Sequence, residues 1–423
     1  MRNIKIHKFF KFLIVIVLLG IIVVYCGKRW NAWFKNPDEP QYTINNTPER
    51  IKLTLSNEGQ FSRIVSWQCG DSLEISQLLL VKTASTDTVS ISAAGKILPT
   101  QGGVTVSYHA KLTGLTEGEY SYCVSTGDKQ SGWYNFSLSS ENNFRFVYIG
   151  DIQDKIGGSV KNLFTLINQK EKDIDFWALG GDVIECPHDM YWNEYFTSFD
   201  SIIQTTPVIA CPGNHEFFKG LSNKLDERFI YNFPYFIESQ TKGNAVFETR
   251  YGNAAIITLD SNSDSWTLFS QRNWFKQALQ KAEDAKWKIV ILHHPLYSVR
   301  GKFRNYFIRR MFDPLIREFN VDLVLQGHEH CYARMINKDN NSFSTPVYVI
   351  SQASPKNYKI NFDGKYDRFG VEQRFYQTID VKQDTLSLKT FTEKGELFDS
   401  VLIVKPDGTQ MTRIGRIFTD FTK

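Results

Sequence analysis

Histidines carry the first chemical signal in this sequence, because five of the eight fall within three short segments. The segments read CPGNHEFF, ILHHPLYS and GHEH, and their histidines are His215, His293, His294, His328 and His330. A lone histidine is more often a packed or hydrogen-bonded residue than a ligand. Clustering of this kind instead indicates a site that binds a metal or transfers protons.

The second signal is that a polar residue follows each of several short apolar runs that are typical of buried strands. The runs FRFVYIG, DFWALGG, PVIACPG, WKIVIL and VDLVLQG precede, in order, Asp151, Asp182, Asn214, His293 and His328. Between the first two runs, GGSVKNLFTLINQKE has apolar residues at helical spacing. Strands that alternate with helices predict an α/β sheet, and such sheets build their sites at the carboxyl ends of the strands. We therefore expect these side chains to converge.

The converging set combines two carboxylates, one amide oxygen and three imidazoles: Asp151, Asp182, Asn214, His293, His328 and His330. Hard oxygen donors mixed with neutral nitrogen suit iron, manganese or zinc better than calcium or copper(I). Six donors exceed the four of a structural zinc site, so two divalent or trivalent ions that share a bridging aspartate are the natural arrangement. His328 and His330, one residue apart, can then each face a different ion.

The order of these motifs resembles that of the calcineurin-like metallophosphoesterases. GD at 150–151, GD at 181–182, GNHE at 213–216, VILH ending at His293 and GHEH at 327–330 occur in the order of that family. The preceding segment AKLTGLTEGEYSYCVSTGDKQSGWYNFSL is similar to the closing half of a fibronectin type III-like module. Together the two parts resemble a purple acid phosphatase across residues 45–404, nearly the whole chain.

The resemblance implies a role for each matching residue. The implied ligands are, for the first ion, Asp151, Asp182 and His330, and for the second ion, Asn214, His293 and His328, with Asp182 bridging the two. His215 matches the catalytic histidine that contacts the substrate oxygen and helps the leaving group to depart. The neighbouring His294 either supports the site from behind the ligands or only packs.

The resemblance also implies an activity, namely hydrolysis of phosphate monoesters by attack of a metal-bridging hydroxide. A phosphodiesterase or nucleotide hydrolase would use the same dinuclear site. A third alternative is a non-catalytic surface protein in which the fibronectin-like module does the binding. Retention of His215, Asn214 and Asp182 argues against a lapsed catalyst, and the sequence has neither a G-x-S-x-G elbow nor a phosphate-binding P-loop.

Two positions depart from the family pattern. Glu185 stands where purple acid phosphatases have the tyrosine whose charge transfer to ferric iron gives their colour, and Gln153 stands where other family members have a histidine. Both side chains can still bind a metal through oxygen, and a colourless iron form is expected. Arg300 could grip the substrate phosphate or lie on a solvated loop, and His188 could reach the rim of the site.

The N-terminus predicts entry into a membrane. Arg2, Lys5, Lys8 and Lys11 precede a charge-free apolar run from Phe12 to Cys26. No small-residue cleavage pattern follows, which favours an uncleaved single-pass anchor with the bulk of the chain outside the cytoplasm. A cleaved secretion signal is the alternative. Because residues 1–35 hold seven basic and no acidic residues, the remainder is near −3, and we expect no nucleic-acid partner.

The strand and helix patterns divide the chain into four parts. Residues 1–35 are the basic segment and membrane anchor or signal, 42–139 a fibronectin type III-like β-sandwich, 143–404 an α/β catalytic domain of the metallophosphoesterase fold, and 405–423 a tail. Cys69 is in phase with apolar residues of its strand, whereas Cys123 alternates against Tyr122 and Val124, so their phases disagree with a disulfide.

Overall fold

The computed structural model describes residues 2–83, 85, 87–237, 245–301, 303–339, 342–358, 360, 366–405 and 416–419. The first element is helix α1 (Arg2–Phe34). Within it, Lys11–Asn31 is long and apolar enough to cross a membrane, and none of this span is buried against the rest of the chain. Its 21 residues correspond to about 30 Å of helix, which matches a bilayer core. An apolar helix at this position fits a signal anchor or a signal peptide.

Nine strands follow the helix: β1 (Glu49–Leu55), β2 (Arg63–Gln68), β3 (Ser76–Lys82), β4 (Thr88–Ser92), β5 (Ala94–Pro99), β6 (Val104–Leu112), β7 (Gly118–Thr126), β8 (Lys129–Gln130) and β9 (Tyr134–Leu138). They form two antiparallel layers. One layer has the order β1-β2-β6-β5, and the other joins β4, β3 and β7, with β8 and β9 paired to β7. The predicted all-β region is therefore confirmed, whereas its fibronectin type III identity and its boundaries stay predictions.

Side-chain alternation explains how the two layers pack. Trp67 and Cys69 from one layer meet Tyr122 and Val124 from the other in a single buried cluster. Cys123 is equally buried but lies outside this cluster, where its sulfur accepts a hydrogen bond from an amide side chain. All six cysteines are free. Cys69 thus faces the core between the two layers and Cys123 faces away from it, in agreement with their different phases in the sequence.

The remaining elements alternate between strands and helices. The strands are β10 (Phe144–Ile149), β11 (Phe176–Leu179), β12 (Val208–Ala210), β13 (Phe217–Phe218), β14 (Lys224–Leu225), β15 (Phe247–Tyr251), β16 (Ala254–Leu259), β17 (Trp287–Leu292), β18 (Leu323–Gln326), β19 (Tyr332–Asp339), β20 (Ser342–Ile350), β21 (Arg368–Gly370), β22 (Phe375–Val381), β23 (Thr385–Thr392), β24 (Leu397–Val404) and β25 (Arg416–Thr419). The helices are α2 (Val160–Lys170), α3 (Asp189–Phe199), α4 (Ile202–Thr205), α5 (Glu227–Asn232), α6 (Ser265–Lys281) and α7 (Tyr306–Glu318).

Two groups of parallel strands form the centre of this region. In one group β10, β11 and β12 run parallel, with β22 antiparallel beside β10 and followed by β23 and β24. In the other, β16, β17, β18 and β20 run parallel, with β15 antiparallel at the edge. The central strands are buried along their whole length, which explains their continuous apolar runs.

The C-terminal strands β22 to β24 extend the first group of strands beyond β10. One layer of the N-terminal region also joins the parallel strands, because Thr54 of β1 pairs in parallel with Val208 of β12. Most of the tail predicted at 405–423 lies outside the described residues. Within it, β25 pairs with β24 and β20.

Candidate metal centre

The loops after the parallel strands bring the predicted ligands together at one edge of the sheets. Two groups of side chains have donor atoms that all lie within 4.8 Å of one another: Asp182 with His293 and His328, and Asp151 with Asp182 and His330. Asp182 belongs to both groups, which is the position required of a bridging ligand. The convergence that the strand ends predicted is therefore present in the structure.

Asn214 completes the group on the side of His293 and His328. Its Oδ1 lies 2.8 Å from His328 Nδ1 and 3.2 Å from His293 Nε2, and those two nitrogens are 3.2 Å apart. His293 Nε2 is also 3.3 Å from Asp182 Oδ2. Four donor atoms thus converge on one space, and a cation bound there would satisfy all of them.

Gln153 lies beside the other group. His330 Nε2 is 3.6 Å from Asp151 Oδ1, and Gln153 Nε2 is 3.4 Å from His330 Nε2 and 3.3 Å from Asp182 Oδ2. The amide oxygen of Gln153 is buried, with no hydrogen-bond partner among the described residues. If the amide is rotated by 180°, its unpaired oxygen takes the place of the nitrogen and faces the donor atoms. In that orientation Gln153 fits as a ligand for a hard cation.

Backbone carbonyls select the ring nitrogens that face the cluster. His293 Nδ1 donates to Gly180 O at 2.9 Å, and His330 Nδ1 donates to Lys356 O at 3.2 Å. Each bond places the proton on the far side of the ring and leaves Nε2 as the free donor atom toward the cluster. This is the usual outer support of histidine ligands in metalloproteins.

The backbone at the ligands is held in the left-handed region that non-glycine residues seldom adopt. The φ values of Asp151, Asp182, His328 and His330 are 50°, 51°, 71° and 49°. Such conformations cost free energy, about 1–3 kcal/mol each, and they persist only where the surrounding structure fixes them. This backbone conformation directs the candidate ligand side chains, which follow the strand ends, into one shared space.

Two motif glycines make this crowding possible. A Cβ atom at Gly327 would lie 2.4 Å from Asp151 Oδ2, and one at Gly213 would lie 2.2 Å from Asp182 Oδ1. Both distances are shorter than any real contact, so a larger residue would displace a candidate ligand. The glycines of GHEH and GNHE therefore serve the close approach of backbone to carboxylate.

Glu216 ties the loops of the site together, a role that the sequence analysis missed. Its buried carboxylate accepts backbone N–H bonds from Asp182, Val183, Ile184 and Gly213. Burial, together with the nearby charge of Asp182, raises the pKa of Glu216 to about 8. Cations in the cluster would offset that repulsion and favour the ionised carboxylate. The motif GNHE contained the residue, but its spacing carried no sign of these contacts.

Charge at the ligands is arranged for cation binding. Burial works against ionisation of Asp182, but the charge of His293 outweighs it and holds the pKa of Asp182 well below its ordinary value. Burial also opposes protonation of His293, yet Asp182 raises the pKa of His293 to about 10. Burial lowers the pKa of His328 strongly and that of His330 to about 4. Two imidazoles are thus neutral at pH 7, and a cation would displace the proton on the third.

His215 lies at the open side of the cluster. Its backbone N–H donates to Asp182 Oδ1 at 2.9 Å, and its ring Nδ1 donates to the carbonyl of Glu185. Its Nε2 is 3.8 Å from Asp182 Oδ2. The ring is partly exposed, and the adjacent Asn214 is exposed. His215 is therefore near the cluster, outside both groups of donor atoms, and accessible to a substrate.

Glu185 is engaged in an ion pair. Both of its carboxylate oxygens lie 2.6 Å from the ammonium group of Lys356. The carbonyl of Lys356 also accepts the hydrogen bond from His330. Lys356 therefore contacts both Glu185 and a candidate ligand of the group formed by Asp151, Asp182 and His330. The sequence analysis did not single out Lys356, because its contacts join segments that are far apart in the chain.

Arg300 is stacked at the rim of the site. Its guanidinium lies 4.2 Å from the ring centroid of Tyr358, whose ring is 4.4 Å from that of His330. The stack places a cationic group one ring away from a candidate ligand. Tyr358 is a third residue, after Glu216 and Lys356, that no sequence motif marked.

The two remaining candidates have supporting positions. His294 Nδ1 is 3.0 Å from Ser261 Oγ, and its ring lies 4.2 Å from that of His328, so it backs a candidate ligand. His188 is buried, and its Nε2 donates to Pro37 O at 3.1 Å. His188 therefore holds the segment that follows α1, and the structure does not bring it into the donor groups.

Comparison with known proteins gives concordant results. Residues 144–332 match the family described as calcineurin-like phosphoesterase. Probable purple acid phosphatase 20 of Arabidopsis thaliana is 24% identical over 369 residues, 80% of this chain and 81% of that protein. Phosphoenolpyruvate phosphatase of Allium cepa is 25% identical over 359 residues, 78% of this chain and 72% of that protein. A solved structure of PhoD superposes with a TM-score of 0.62 at 12% identity, over 92% of this chain and 94% of that one, and shows a shared fold.

Proposed function

Because residues 144–332 form a calcineurin-like phosphoesterase domain and the relatives of the chain are purple acid phosphatases, we propose that the Asp/His cluster hydrolyses phosphate monoesters. The observation that carries the proposal is the shared position of Asp182 in both donor groups, with His215 directly beside it. A dinuclear site with a proton donor at its edge is what phosphate ester hydrolysis requires.

The proposed ligands divide into two sets. Asp151, His330 and, through its orphaned oxygen, Gln153 would hold one ion with Asp182. Asn214, His293 and His328 would hold the other, also with Asp182. When bound, the two cations would lower the pKa of a water molecule between them and neutralise the phosphate oxygens. Iron, manganese and zinc all suit these donors.

His215 is proposed to protonate the leaving oxygen. When both ring nitrogens carry protons, Nδ1 donates to the carbonyl of Glu185, which leaves the Nε2 proton directed toward the cluster. A leaving alkoxide formed beside the cluster can take this proton. Because the hydrogen bond to Glu185 fixes the orientation of the ring, His215 needs no change of rotamer before proton transfer.

The chain is proposed to be anchored by α1 with its catalytic part outside the cytoplasm. Basic residues precede the apolar span, as expected for a cytoplasmic flank. Protease protection in sealed vesicles tests this orientation, and the mass of the purified protein tests whether α1 is retained. Cleavage after the apolar run would show that α1 is a secretion signal and not an anchor.

The first test of the activity uses the full chain in detergent. Metal content is measured beside the hydrolysis of p-nitrophenyl phosphate and bis-p-nitrophenyl phosphate, for the wild type and the variants His215→Ala and Asp182→Asn. We expect about two ions per chain and monoester turnover in the wild type. His215→Ala should keep the ions and lose about 10²–10⁴-fold in turnover, whereas Asp182→Asn should lose both.

Asp128→Asn is the matched control for Asp182→Asn, because Asp128 is exposed in the N-terminal β region. A preference for the diester substrate would show that the protein is a phosphodiesterase rather than a monoesterase. A folded wild-type protein that stays metal-free and inert after incubation with iron, manganese and zinc would contradict the proposal and leave the non-catalytic alternative.

A further inference from the structure

An exposed aromatic surface borders the candidate site. Helices α6 and α7 begin after strands β16 and β17, so their first turns lie at the sheet edge that holds the ligands. This surface, termed here the aromatic rim, consists of Trp266, Phe269, Phe303, Tyr306 and Phe307. Trp266 and Phe303 are 85% and 81% exposed, and the Phe269 and Phe307 rings are 5.9 Å apart. A group of exposed apolar side chains of this kind usually marks a contact with another surface.

Cations accompany the aromatic rim. Residues 299–312, VRGKFRNYFIRRMF, contain five basic and no acidic residues. Arg309 lies 5.4 Å from the centroid of the Tyr306 ring, and Arg310 donates to the Tyr306 hydroxyl at 3.0 Å. Aromatic rings together with Arg and Lys are the composition that favours the interface of an anionic bilayer.

A second exposed element follows the site residues Asn214 and His215 in the chain. Strands β13 and β14 pair as a hairpin directly after these residues. Its tip carries Leu221, which is 99% exposed, between the exposed Lys219 and Lys224. The tip therefore combines apolar and basic side chains, as the aromatic rim does. Two apolar and basic elements thus adjoin the loops that carry the ligand cluster, one after β12 and the other after β16 and β17.

The hairpin is tied to the membrane-spanning helix. Asn36, two residues beyond the end of α1, donates from Nδ2 to Lys219 O at 2.9 Å and accepts from Lys219 N at 2.7 Å. Lys219 is only four residues beyond His215, and extended chain covers about 3.5 Å per residue. The end of α1 is thus placed close to the open side of the site.

The connection is fixed by further contacts rather than being a loose linker. Pro37 O accepts from His188, and Glu39 accepts from Asp189 N at 2.7 Å and forms a buried ion pair with Arg228. These bonds hold residues 36–39 against the catalytic region on the side of the hairpin. The direction from which the membrane approaches is therefore set by the fold.

We propose that the aromatic rim and the hairpin tip rest on the bilayer that holds α1, and that the substrate is a phosphate monoester carried by a membrane lipid. The substrate class rests on the proposed phosphatase function, whereas the bilayer contact does not. A site bordered by membrane-contacting elements would meet its substrate at the level of the lipid head groups. The rings would supply apolar contact with the interface and the arginines would attract anionic lipids.

The activity test compares two substrates on one protein. The full chain is reconstituted in nanodiscs of phosphatidylcholine and phosphatidate, and hydrolysis of phosphatidate and of soluble p-nitrophenyl phosphate is measured. The double variant Trp266→Ser/Phe303→Ser should lose about tenfold or more on phosphatidate, because it removes two large interfacial side chains. Its turnover of p-nitrophenyl phosphate should stay within about twofold of the wild type, since neither residue contacts the ligand cluster.

Trp133→Ser is the control, because Trp133 is 50% exposed but belongs to the N-terminal β region. It should leave the ratio of the two activities unchanged. An equal loss on both substrates in the double variant, or no loss on either, would overturn the role of the aromatic rim. A wild type that hydrolyses p-nitrophenyl phosphate but not phosphatidate would overturn the lipid substrate.

A second readout is independent of catalysis. The photoreactive residue p-benzoylphenylalanine replaces Phe303 in one form of the full chain and Trp133 in another, and each is irradiated in its membrane. Lipid adducts at position 303 and not at 133 are expected. Protein adducts at position 303, or none, would overturn the bilayer contact. If the wild type hydrolysed no phosphate ester at all, the proposed function would fail, and the adducts would still decide the contact.

Discussion

At the scale of single residues, Glu185 separates this site from the coloured one of the purple acid phosphatases. The family tyrosine at that position is a metal ligand, but here a carboxylate pairs with Lys356 at 2.6 Å. Without a phenolate on ferric iron there is no source for the visible charge-transfer band. The substitution is therefore expected to change a spectroscopic property of the site while the other candidate ligands remain in place.

The iron-loaded protein is accordingly expected to be colourless. The absorption spectrum of the full chain with two irons should lack the visible band. The variant Glu185→Tyr should introduce the band, because its phenol would lie beside the donor group of Asp151, Asp182 and His330. Glu185→Phe is the control that breaks the ion pair with Lys356 without offering a ligand. A purple wild type would contradict the prediction and would point to Tyr358, the phenol next to His330.

Sequence alone predicted the candidate ligands that belong to recognisable motifs. The six expected ligands converge because each follows a buried strand, and strand ends of one sheet share an edge. Glu216, Lys356 and Tyr358 were missed because their roles depend on contacts between segments distant in the chain. His188 was a candidate for the rim of the site, and its Nε2 donates to Pro37 O, a partner that no local pattern could indicate.

At the scale of elements, the loops after β11 and β12 act as one unit because Glu216 binds both. Its carboxylate accepts from Asp182 N at 3.0 Å and from Val183 N at 2.8 Å, as well as from Ile184 and Gly213. The bridging candidate Asp182 therefore depends on a buried acceptor that contacts no substrate. Glu216 is a positioning residue.

Replacement of Glu216 by glutamine should separate stability from chemistry. The amide would face two backbone N–H groups with its own N–H₂, so the free energy of unfolding should fall by about 2–5 kcal/mol. Metal affinity should fall about 10–100-fold, as for other outer supports of ligands. Urea unfolding and metal titration measure the two effects. Glu227→Gln, at an exposed neighbour, should change neither, and an unaltered Glu216→Gln protein would refute the positioning role.

Element types were predicted well where periodicity is strong, and less well where length depends on context. The alternating runs gave the antiparallel strands, and the continuous apolar runs gave the buried parallel strands. Helix α1 is longer than the apolar run that predicted it, because the flanking polar residues continue the same helix. The hairpin of β13 and β14 has only two residues in each strand, too few for any period to show.

At the scale of the whole molecule, a buried lysine marks where the N-terminal β region meets the catalytic region. Lys52 of β1 is fully buried, its Nζ has no hydrogen-bond partner among the described residues, and it lies 3.8 Å from the centroid of the Phe233 ring. The rings of Tyr195 and Phe196 on α3 complete the surroundings. Burial lowers the pKa of Lys52 well below its ordinary value.

Lys52 should therefore make stability depend on pH. Between the lowered native pKa and the ordinary pKa of about 10.4, the native lysine is neutral and the unfolded one is charged. Unfolding then binds a proton, so the free energy of unfolding rises with pH across this window, by up to about 1.4 kcal/mol per unit, and Lys52 destabilises the fold at pH 7. Lys52→Met should raise the unfolding temperature at pH 7 and remove this slope.

Thermal unfolding of the full chain in detergent from pH 7 to 10 measures both effects. Lys96→Met serves as the control, because Lys96 is exposed on β5 of the same region. Loss of stability in Lys52→Met would show that the ammonium is charged and held by the aromatic rings. The sequence could not predict this site, since β1 reads as an ordinary strand and its partners come from α3 and the end of α5.

With α1 retained as a membrane anchor, its bonded connection to Lys219 would also determine how the site meets a lipid substrate. A site held a few residues above the membrane would search in two dimensions, so the encounter rate would follow lateral diffusion and the number of lipids per unit area. Diluting the whole suspension at constant lipid composition would leave the turnover of a lipid substrate unchanged. The turnover of a soluble ester would fall in proportion once its concentration dropped below KM.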